Sequence, residues 1–414
     1  MSEKRGMSSG KRFSPAVSVV IMFGVISMLG DIVYESARSA NSQYLNLLGI
    51  SAARVGLVFG IGEFLGYALR LLAGILSDKS GRHWWFMFLG YGMLLSVPLM
   101  GLTMKWDALV ILMLMERIGK ALRNPAKDTV LSGVAERQVG IGFAFGLQEA
   151  LDQLGAFLGP LVFTAVFYFA GKSGIREYQA GYRLLAAPFV LLMLFLYFAF
   201  KKMRGSNLLP SAQNREFQNE KLEPVFWNYT VFTFFCTAGF VNFSTIGYHL
   251  KANQLMSDGE ITLLYSLAML VDAVAAMIVG KAYDRLKEKT GKKTGGILAL
   301  AAIPLMTMLL PLLTLSHSAA LIAAGMALFG IVMGTHETIM RSAIADITPY
   351  RKRGTGYGIF NSAYGLALLA GSALMGLLYD LKFTKLIIVF TAAAEITAIA
   401  LYVKMNHAIR NGPR

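Results

Sequence analysis

The sequence predicts an all-α membrane protein with twelve transmembrane helices, arranged as two parallel, pseudo-symmetric six-helix halves. Three observations predict it: a strongly apolar composition, apolar segments of spanning length along the whole chain, and short motifs that repeat between the halves. Of the 414 residues, 55% are hydrophobic and only 15% are charged. One globular core cannot bury that much apolar surface, so the lipid bilayer is the expected solvent.

The apolar segments have the length that a helix needs to cross a bilayer, roughly 20 residues. They are bounded by charged residues or by Gly and Pro clusters, which mark helix ends. The first set of helices is predicted near residues 15–45, 52–77, 84–104, 107–131, 140–170 and 180–200. The second set is predicted near residues 225–250, 260–284, 296–315, 319–345, 355–379 and 384–404.

One long polar segment separates the two sets of helices. It divides the chain into an N-terminal half at residues 1–200, a linker at 201–224 and a C-terminal half at 225–414. Lysines and arginines are concentrated in the linker and in the loops on the same side of the predicted bundle, and such loops are usually cytoplasmic. We therefore expect both termini and the linker in the cytoplasm, with the helices in a bacterial or archaeal inner membrane.

Short motifs repeat between the halves in the same order. GILSD at residues 74–78 recurs as GKAYD at 280–284, and FGL at 145–147 recurs as YGI at 357–359. Shared order and similar spacing predict two parallel structural repeats.

Several other classes of protein are not supported. The net charge of +15 is spread between apolar segments, so no basic face for nucleic acid is expected. The single Cys236, and the wide separation of His249 and His336, give no metal-ligand cluster. Neither a phosphate-binding loop nor a nucleophile motif occurs, so no enzyme activity, cofactor or resident metal is expected.

Residues 74–83 read GILSDKSGRH. This segment resembles the motif G-x-L-x-D-x-x-G-R-R/K that members of the major facilitator superfamily carry between helices 2 and 3, with His83 the one departure. The resemblance implies a gate at the cytoplasmic end of the bundle. Its candidate residues are Gly74, Asp78, Gly81 and Arg82, with Asp284 in the second copy.

The fifth predicted helix carries a second resemblance to the same family. Gly155, Gly159 and Pro160 match the start of the antiporter motif G-x-x-x-G-P-x-x-G-G, whereas Phe163 and Thr164 replace its closing glycines. The family's fold implies a central cavity lined by helices 1, 2, 4, 5, 7, 8, 10 and 11, with helices 3, 6, 9 and 12 at the periphery. It also implies alternating access, in which the halves rock about a site near the middle of the membrane.

Charged residues inside predicted spans are costly, so each needs a partner, a water-filled cavity or a function. Asp31, Glu35 and Arg38 share one face of the first helix. Two acids against one base leave a surplus carboxyl group, which could exchange a proton near neutral pH. The alternative is that Glu35 and Arg38 form a structural pair while Asp31 bonds to a neighbouring helix.

Two further helices carry candidates of opposite charge. Glu63 on the second helix is expected to meet a basic residue of a neighbouring helix. Arg117 on the fourth resembles the family's fourth-helix arginine and is expected to pair with Asp31 or with an anionic group of the substrate. Alternatively, Arg117 only neutralises Glu116 or Glu149.

The remaining candidates lie on the fifth helix and in the second half. Glu149 and Asp152 are three residues apart, so they should not both be ionised. The alternative, favoured for Asp152, is that they pair with Arg123, Lys127 or Arg137 in a gate. Histidine titrates nearest to neutral pH of all side chains. The second-half candidates are Asp272, His336, Glu337 and Asn361.

Together these residues favour a proton-coupled secondary transporter of a small organic solute. An acidic cavity would suit a cationic solute, and the partial helix-5 motif favours export by antiport. The alternatives are an importer or uniporter of an anionic metabolite that uses Arg117 and Arg38, a divalent-metal transporter, and a membrane sensor or scaffold. We expect a monomer in contact with membrane lipid and no nucleic acid, with the proton gradient rather than a cofactor as the driving force.

Overall fold

The computed structural model describes residues 15–138, 141–205, 222–290, 297, 300–348 and 353–411. In these ranges the chain is almost entirely helical and contains no strand. Nine of the described helical segments are long and apolar enough to cross a membrane, and Ala302–Thr314 is a shorter apolar helix. The predicted all-α membrane fold is confirmed.

The described residues of the N-terminal half form eight α-helices, because two of the six spans are each divided into two helices. The third span consists of α3, a 3-10 turn at Met93–Leu95 and α4, and the sixth consists of α7 and α8. The helices are α1 Pro15–Leu47, α2 Ala52–Ser80, α3 His83–Gly92, α4 Ser96–Met100, α5 Trp106–Gln138, α6 Ile141–Ala170, α7 Ile175–Leu184 and α8 Ala186–Gly205.

In the C-terminal half, the described part of the chain again forms eight α-helices in six spans. Its first span breaks between α9 and α10, and its fourth contains a π-helical turn at His336–Met340 between α13 and α14. The helices are α9 Pro224–Ala238, α10 Phe243–Ala252, α11 Asp258–Thr290, α12 Ala302–Thr314, α13 Ala319–Thr335, α14 Arg341–Ile347, α15 Arg353–Asp380 and α16 Thr384–Asn411.

The two halves meet along α2 with α15 and along α6 with α11, with α1 and α10 also in contact. The helices α3, α4, α7, α8, α12 and α16 pack mainly within their own half. This is the division into central and peripheral helices that the family resemblance implied.

The two ends of the bundle can be told apart by the linker. We call the end at which α8 ends and α9 begins the linker end, and the other the far end. The Lys202 ammonium near the end of α8 donates to the Ser18 hydroxyl at 2.5 Å, so α1 also begins at the linker end. Helices α2 and α15 run antiparallel, because Gly56 packs on Ser372 whereas Gly358 packs on Leu71.

Glycines allow α6 to approach α1 closely. A Cβ atom on Gly155 would collide with the Met28 carbonyl oxygen, and one on Gly159 would lie 2.9 Å from the Ile32 carbonyl oxygen. The Ser36 hydroxyl uses this proximity to donate to the Gly159 carbonyl at 2.5 Å. The helix-5 motif therefore has a packing role within the N-terminal half.

We expect Gly155→Val to reduce the amount of folded protein sharply, because the added side chain has no space between α6 and the backbone of α1. The matched control is Gly146→Val on the same helix, where a Cβ would meet nothing within 4 Å. Size-exclusion profiles and thermal stability in detergent measure the difference. Equal stability of the two variants would contradict the packing role.

Candidate functional site

A polar cavity lies between the two halves, lined by both. The N-terminal half contributes the ionisable residues Glu35 and Arg38 on α1, Glu63 and Arg70 on α2, and Arg117 and Lys120 on α5. The C-terminal half contributes mostly neutral polar groups, with one carboxylate. They are Asn242, Ser244, His336, Glu337 and Tyr364.

Glu63 is the centre of the charge network on the N-terminal side. Its Oε1 lies 3.0 Å from Arg117 Nη1 and 3.8 Å from Arg38 Nη2, so one carboxylate oxygen faces two arginines. Arg117 Nε also lies 3.3 Å from Glu116 Oε2, and its Nη1 donates to the Tyr34 hydroxyl. The expectation that Glu63 meets a basic residue of another helix agrees with this geometry.

A hydrogen bond from the C-terminal half reaches the same network. Arg38 Nη1 lies 3.5 Å from Glu35 Oε1, and the Tyr265 hydroxyl on α11 donates to Glu35 Oε2 at 2.6 Å. Glu35 is thus held by one cation of its own half and by one hydroxyl of the other half. Movement of the halves relative to each other would change its surroundings.

The lining contains more cations than carboxylates. It has four cations, Arg38, Arg70, Arg117 and Lys120, against three carboxylates, Glu35, Glu63 and Glu337. The Lys120 ammonium lies 3.8 Å from the centre of the Tyr34 ring, where the aromatic face attracts a cation. The expectation of an acidic cavity was wrong.

Aromatic side chains hold several of these charges. Arg70 lies over the Tyr67 ring at 4.5 Å, and Tyr67 packs edge-on against Tyr364 of the C-terminal half at 4.9 Å. Tyr34 and Tyr67 are not among the residues that the sequence predicts for the site. The signal for Tyr34 was its position four residues before Arg38, which places both on one face of α1.

Four acidic candidates and one amide lie outside the residues that line this cavity. Asp31 is half-buried and faces Asp152 and Lys120 rather than Arg117. The expected pair of Arg117 with Asp31 is therefore not formed, because Glu63 and Glu116 take that position.

The other residues of this group are dispersed. Glu149 is exposed and accepts from the Gln153 amide at 3.3 Å. Asp272 on α11 is 2% exposed and packs against Gly334 on α13. Asn361 is half-buried on α15, and Asp152 faces Lys127, one of its expected gate partners, whose ammonium also donates to the Ser27 hydroxyl at 2.8 Å.

The GILSDKSGRH segment contains the last residues of α2, which lie at the linker end of the bundle. Gly81 has φ +63, a left-handed conformation that favours glycine, and its N–H bonds to the Asp78 carbonyl. Gly74 packs near Pro125 of α5, while Arg82 and Asp284 are exposed and Asp78 is half-buried. The gate that the family resemblance implied at this end stays a prediction.

These features define a polytopic membrane protein in which two helical bundles enclose a charged cavity, the architecture of a secondary transporter. The sequence model described as Major Facilitator Superfamily matches residues 13–372 and 248–412. The chain belongs to the major facilitator superfamily and is a membrane transporter of that type.

Relatives support this assignment over nearly the whole chain. An uncharacterized protein of Mycobacterium tuberculosis is 32% identical over 396 residues, which are 94% of this chain and 93% of that protein. An uncharacterized MFS-type transporter of Methanocaldococcus jannaschii is 25% identical over 370 residues, covering 88% of this chain and 89% of that protein.

Solved structures show the same fold at low identity. The nucleoside transporter NupG has a TM-score of 0.70 at 13% identity, covering 94% of this chain and 99% of that one. A bacterial homolog of the human lysosomal transporter Spinster, in an inward-facing and unoccupied conformation, has a TM-score of 0.65 at 14% identity, covering 96% of both chains.

Proposed function

We propose that this chain is a proton-coupled secondary transporter of a small organic solute that carries an anionic group, and that it works by alternating access. The observation that supports this proposal most strongly is the charge balance of the cavity, four cations against three carboxylates. The cationic solute favoured by the sequence alone is less suited to this lining.

The cations are placed to hold a carboxylate or a phosphate. Arginine presents several N–H donors in a planar fork that matches these groups. Glu35 and Glu63 contact Arg38 and Arg117, while Arg70 and Lys120 line the same cavity as two further cations. Because the lining has more cations than carboxylates, an anion that enters it gains favourable charge interactions at low dielectric.

Competition for the two arginines supplies a coupling mechanism. Glu63 Oε1 faces both Arg117 and Arg38, so it competes with any anion that binds them. A proton on Glu63 would neutralise its charge and release the two guanidinium groups to the solute. Proton and solute would then strengthen each other's binding, which is the thermodynamic requirement for symport.

The proposal places the linker end and both termini in the cytoplasm, where the positive-inside rule puts loops rich in lysine and arginine. It treats one chain as the working unit, since the cavity is formed within a single chain. Close packing against α1 accounts for Gly155 and Gly159, so these glycines no longer favour export by antiport.

A thermal-stability screen of the purified protein tests the substrate class, because a ligand of the folded state raises its apparent stability. The library should pair carboxylates and phosphates with amines of similar size. We expect stabilisation by members of the anionic set, followed by uptake of the same compounds into proteoliposomes under an imposed pH gradient. Stabilisation by amines alone, or uptake that ignores the gradient, would contradict the proposal.

We expect Glu63→Gln to separate exchange of solute from proton-driven accumulation. Glutamine imitates the protonated side chain, so solute should still bind and exchange across the membrane, while a pH gradient should no longer concentrate it. Counterflow and gradient-driven uptake, measured on the same proteoliposomes, give the two quantities.

The control is Glu288→Gln, an exposed glutamate near the end of α11 and outside the cavity lining. It should leave both quantities unchanged. A Glu63→Gln protein that still accumulates solute against its gradient would remove Glu63 from the coupling mechanism.

A further inference from the structure

A glutamate is completely buried in the peripheral helix α16, away from the cavity lining. Glu395 is 0% exposed, and among the described residues no oxygen or nitrogen donor bonds to its carboxyl oxygens. No lysine or arginine in the described ranges forms an ion pair with it. The charge network of the cavity makes no use of this residue.

Glu395 lies against the point at which the span of α9 and α10 breaks. The Thr391 hydroxyl, one turn earlier on α16, donates to the Gly239 carbonyl at 2.9 Å. A Cβ atom on Gly239 would approach Glu395 Oε1 to 2.6 Å, so the carboxyl group lies directly against this glycine. The break continues to Phe240 and Asn242, and both line the cavity.

Two side chains connect Glu395 with the cavity. The Cys236 thiol on α9 faces the carboxyl group, and its Sγ lies 4.0 Å from His336 Nε2. His336 is itself 3% exposed, and its Nδ1 has no hydrogen-bond partner in the described part of the chain. His336 lines the cavity. The side chains of His336, Cys236 and Glu395 therefore follow one another from the cavity to the buried carboxyl group.

The surroundings of Glu395 decide its charge. An ionised carboxylate without a counter-ion or a donor is very costly in a medium of low dielectric, and in practice such a group binds a proton instead. A neutral apolar side chain would fill the same space at lower cost, so a buried acid with unpartnered oxygens calls for an explanation. The π-helical turn that begins at His336 is a second irregularity at the same place, and such turns are frequent at functional sites.

We propose that Glu395 is a proton-binding site outside the central cavity, which exchanges its proton with the cavity through Cys236 and His336. On release, the O–H bond of the carboxyl breaks as its proton passes to the thiol sulfur, and the S–H bond breaks as the thiol proton passes to His336 Nε2. Uptake is the reverse. The site is independent of the solute, so it stands or falls separately from the proposed transport of an anion.

Infrared spectroscopy of the purified full-length chain tests the occupancy of this site. We expect the wild-type protein to show the carbonyl band of a protonated carboxyl group at neutral pH, and to lose it as the pH is raised. Glu395→Gln should lack this component of the spectrum, whereas the control Glu288→Gln should keep it. Identical spectra of the wild type and Glu395→Gln at every pH would overturn the proposal.

Deuterium exchange tests the path to the cavity. On transfer to heavy water the same band should shift, because an exchangeable proton is replaced by a deuteron. Cys236→Ala should retain the band and slow its shift, since the intermediate carrier is missing. A band that neither shifts in heavy water nor responds to pH would show a structural acid and overturn the proposal, and an unchanged rate in Cys236→Ala would overturn the path.

Discussion

Arg117→Ala is expected to abolish both solute binding and transport. The guanidinium group is the hub of the cavity network, since it contacts Glu63, Glu116 and Tyr34. Its removal takes away a fork suited to an anion and leaves two carboxylates without their nearest cation. Breaking a buried ion pair by removing one partner costs about 3–5 kcal/mol, so the folded state should weaken as well.

The loss of transport must be separated from this loss of stability. The double variant Arg117→Ala with Glu63→Gln removes one of the stranded carboxylates, so it should recover part of the thermal stability and none of the transport. Arg117→Lys keeps the charge without the fork and should reduce affinity for the anion roughly 10- to 100-fold, the worth of one charge-assisted hydrogen bond. A double variant that transports at the wild-type rate would refute the role of Arg117.

The charged members of the site could be found from the sequence, whereas their pairing could not. Glu35, Arg38, Glu63 and Arg117 each interrupt an apolar segment, so each is visible as an exception. Which of them meet depends on the depth and rotation of different helices. Arg117 faces Tyr34 rather than Asp31, one helical turn away on α1, and so pairs with Glu63.

The charge of the cavity could not be predicted from the sequence either. Asp31, Glu149, Asp152 and Asp272 were expected among its acidic residues, yet none of them lines it. Glu395 shows the same difficulty, because α16 is largely apolar and its hydropathy does not indicate which face is buried. Helix number and order could be predicted, since spanning length is a one-dimensional property.

At the far end of the bundle, a residue of one half caps a helix of the other half. Asp380, the last residue of α15, accepts from the backbone N–H groups of Ala52 at 2.8 Å and Ala53 at 2.9 Å. These N–H groups begin α2 and have no partner within that helix. A carboxylate at a helix N-terminus is also stabilised by the helix dipole. The Tyr248 hydroxyl adds a second bond between the halves, to the Ile50 carbonyl at 2.9 Å.

Asp380→Ala should therefore shift the transporter away from the conformation that is closed at the far end. Loss of the two charge-assisted hydrogen bonds is worth about 2–3 kcal/mol, which corresponds to a change of roughly 30- to 150-fold in the ratio of the two conformations. Hydrogen–deuterium exchange measures this shift. Deuterium exchange should accelerate in the first turns of α2 and in the last turns of α15. It should also accelerate in the segment of α10 around Tyr248, whose hydroxyl bonds to Ile50 of the other half.

The breadth of that response distinguishes opening from local fraying. A helix end that merely loses its cap would exchange faster at Ala52 and Ala53 alone, whereas separation of the halves must expose both partners of each contact. The matched control is Glu177→Ala, which removes the carboxylate that accepts from the Gly174 N–H at 2.9 Å, a helix cap at the same end but within one half. It should accelerate exchange only near the start of α7. An Asp380→Ala protein with changes confined to the first turn of α2 would show that this cap does not control the closure.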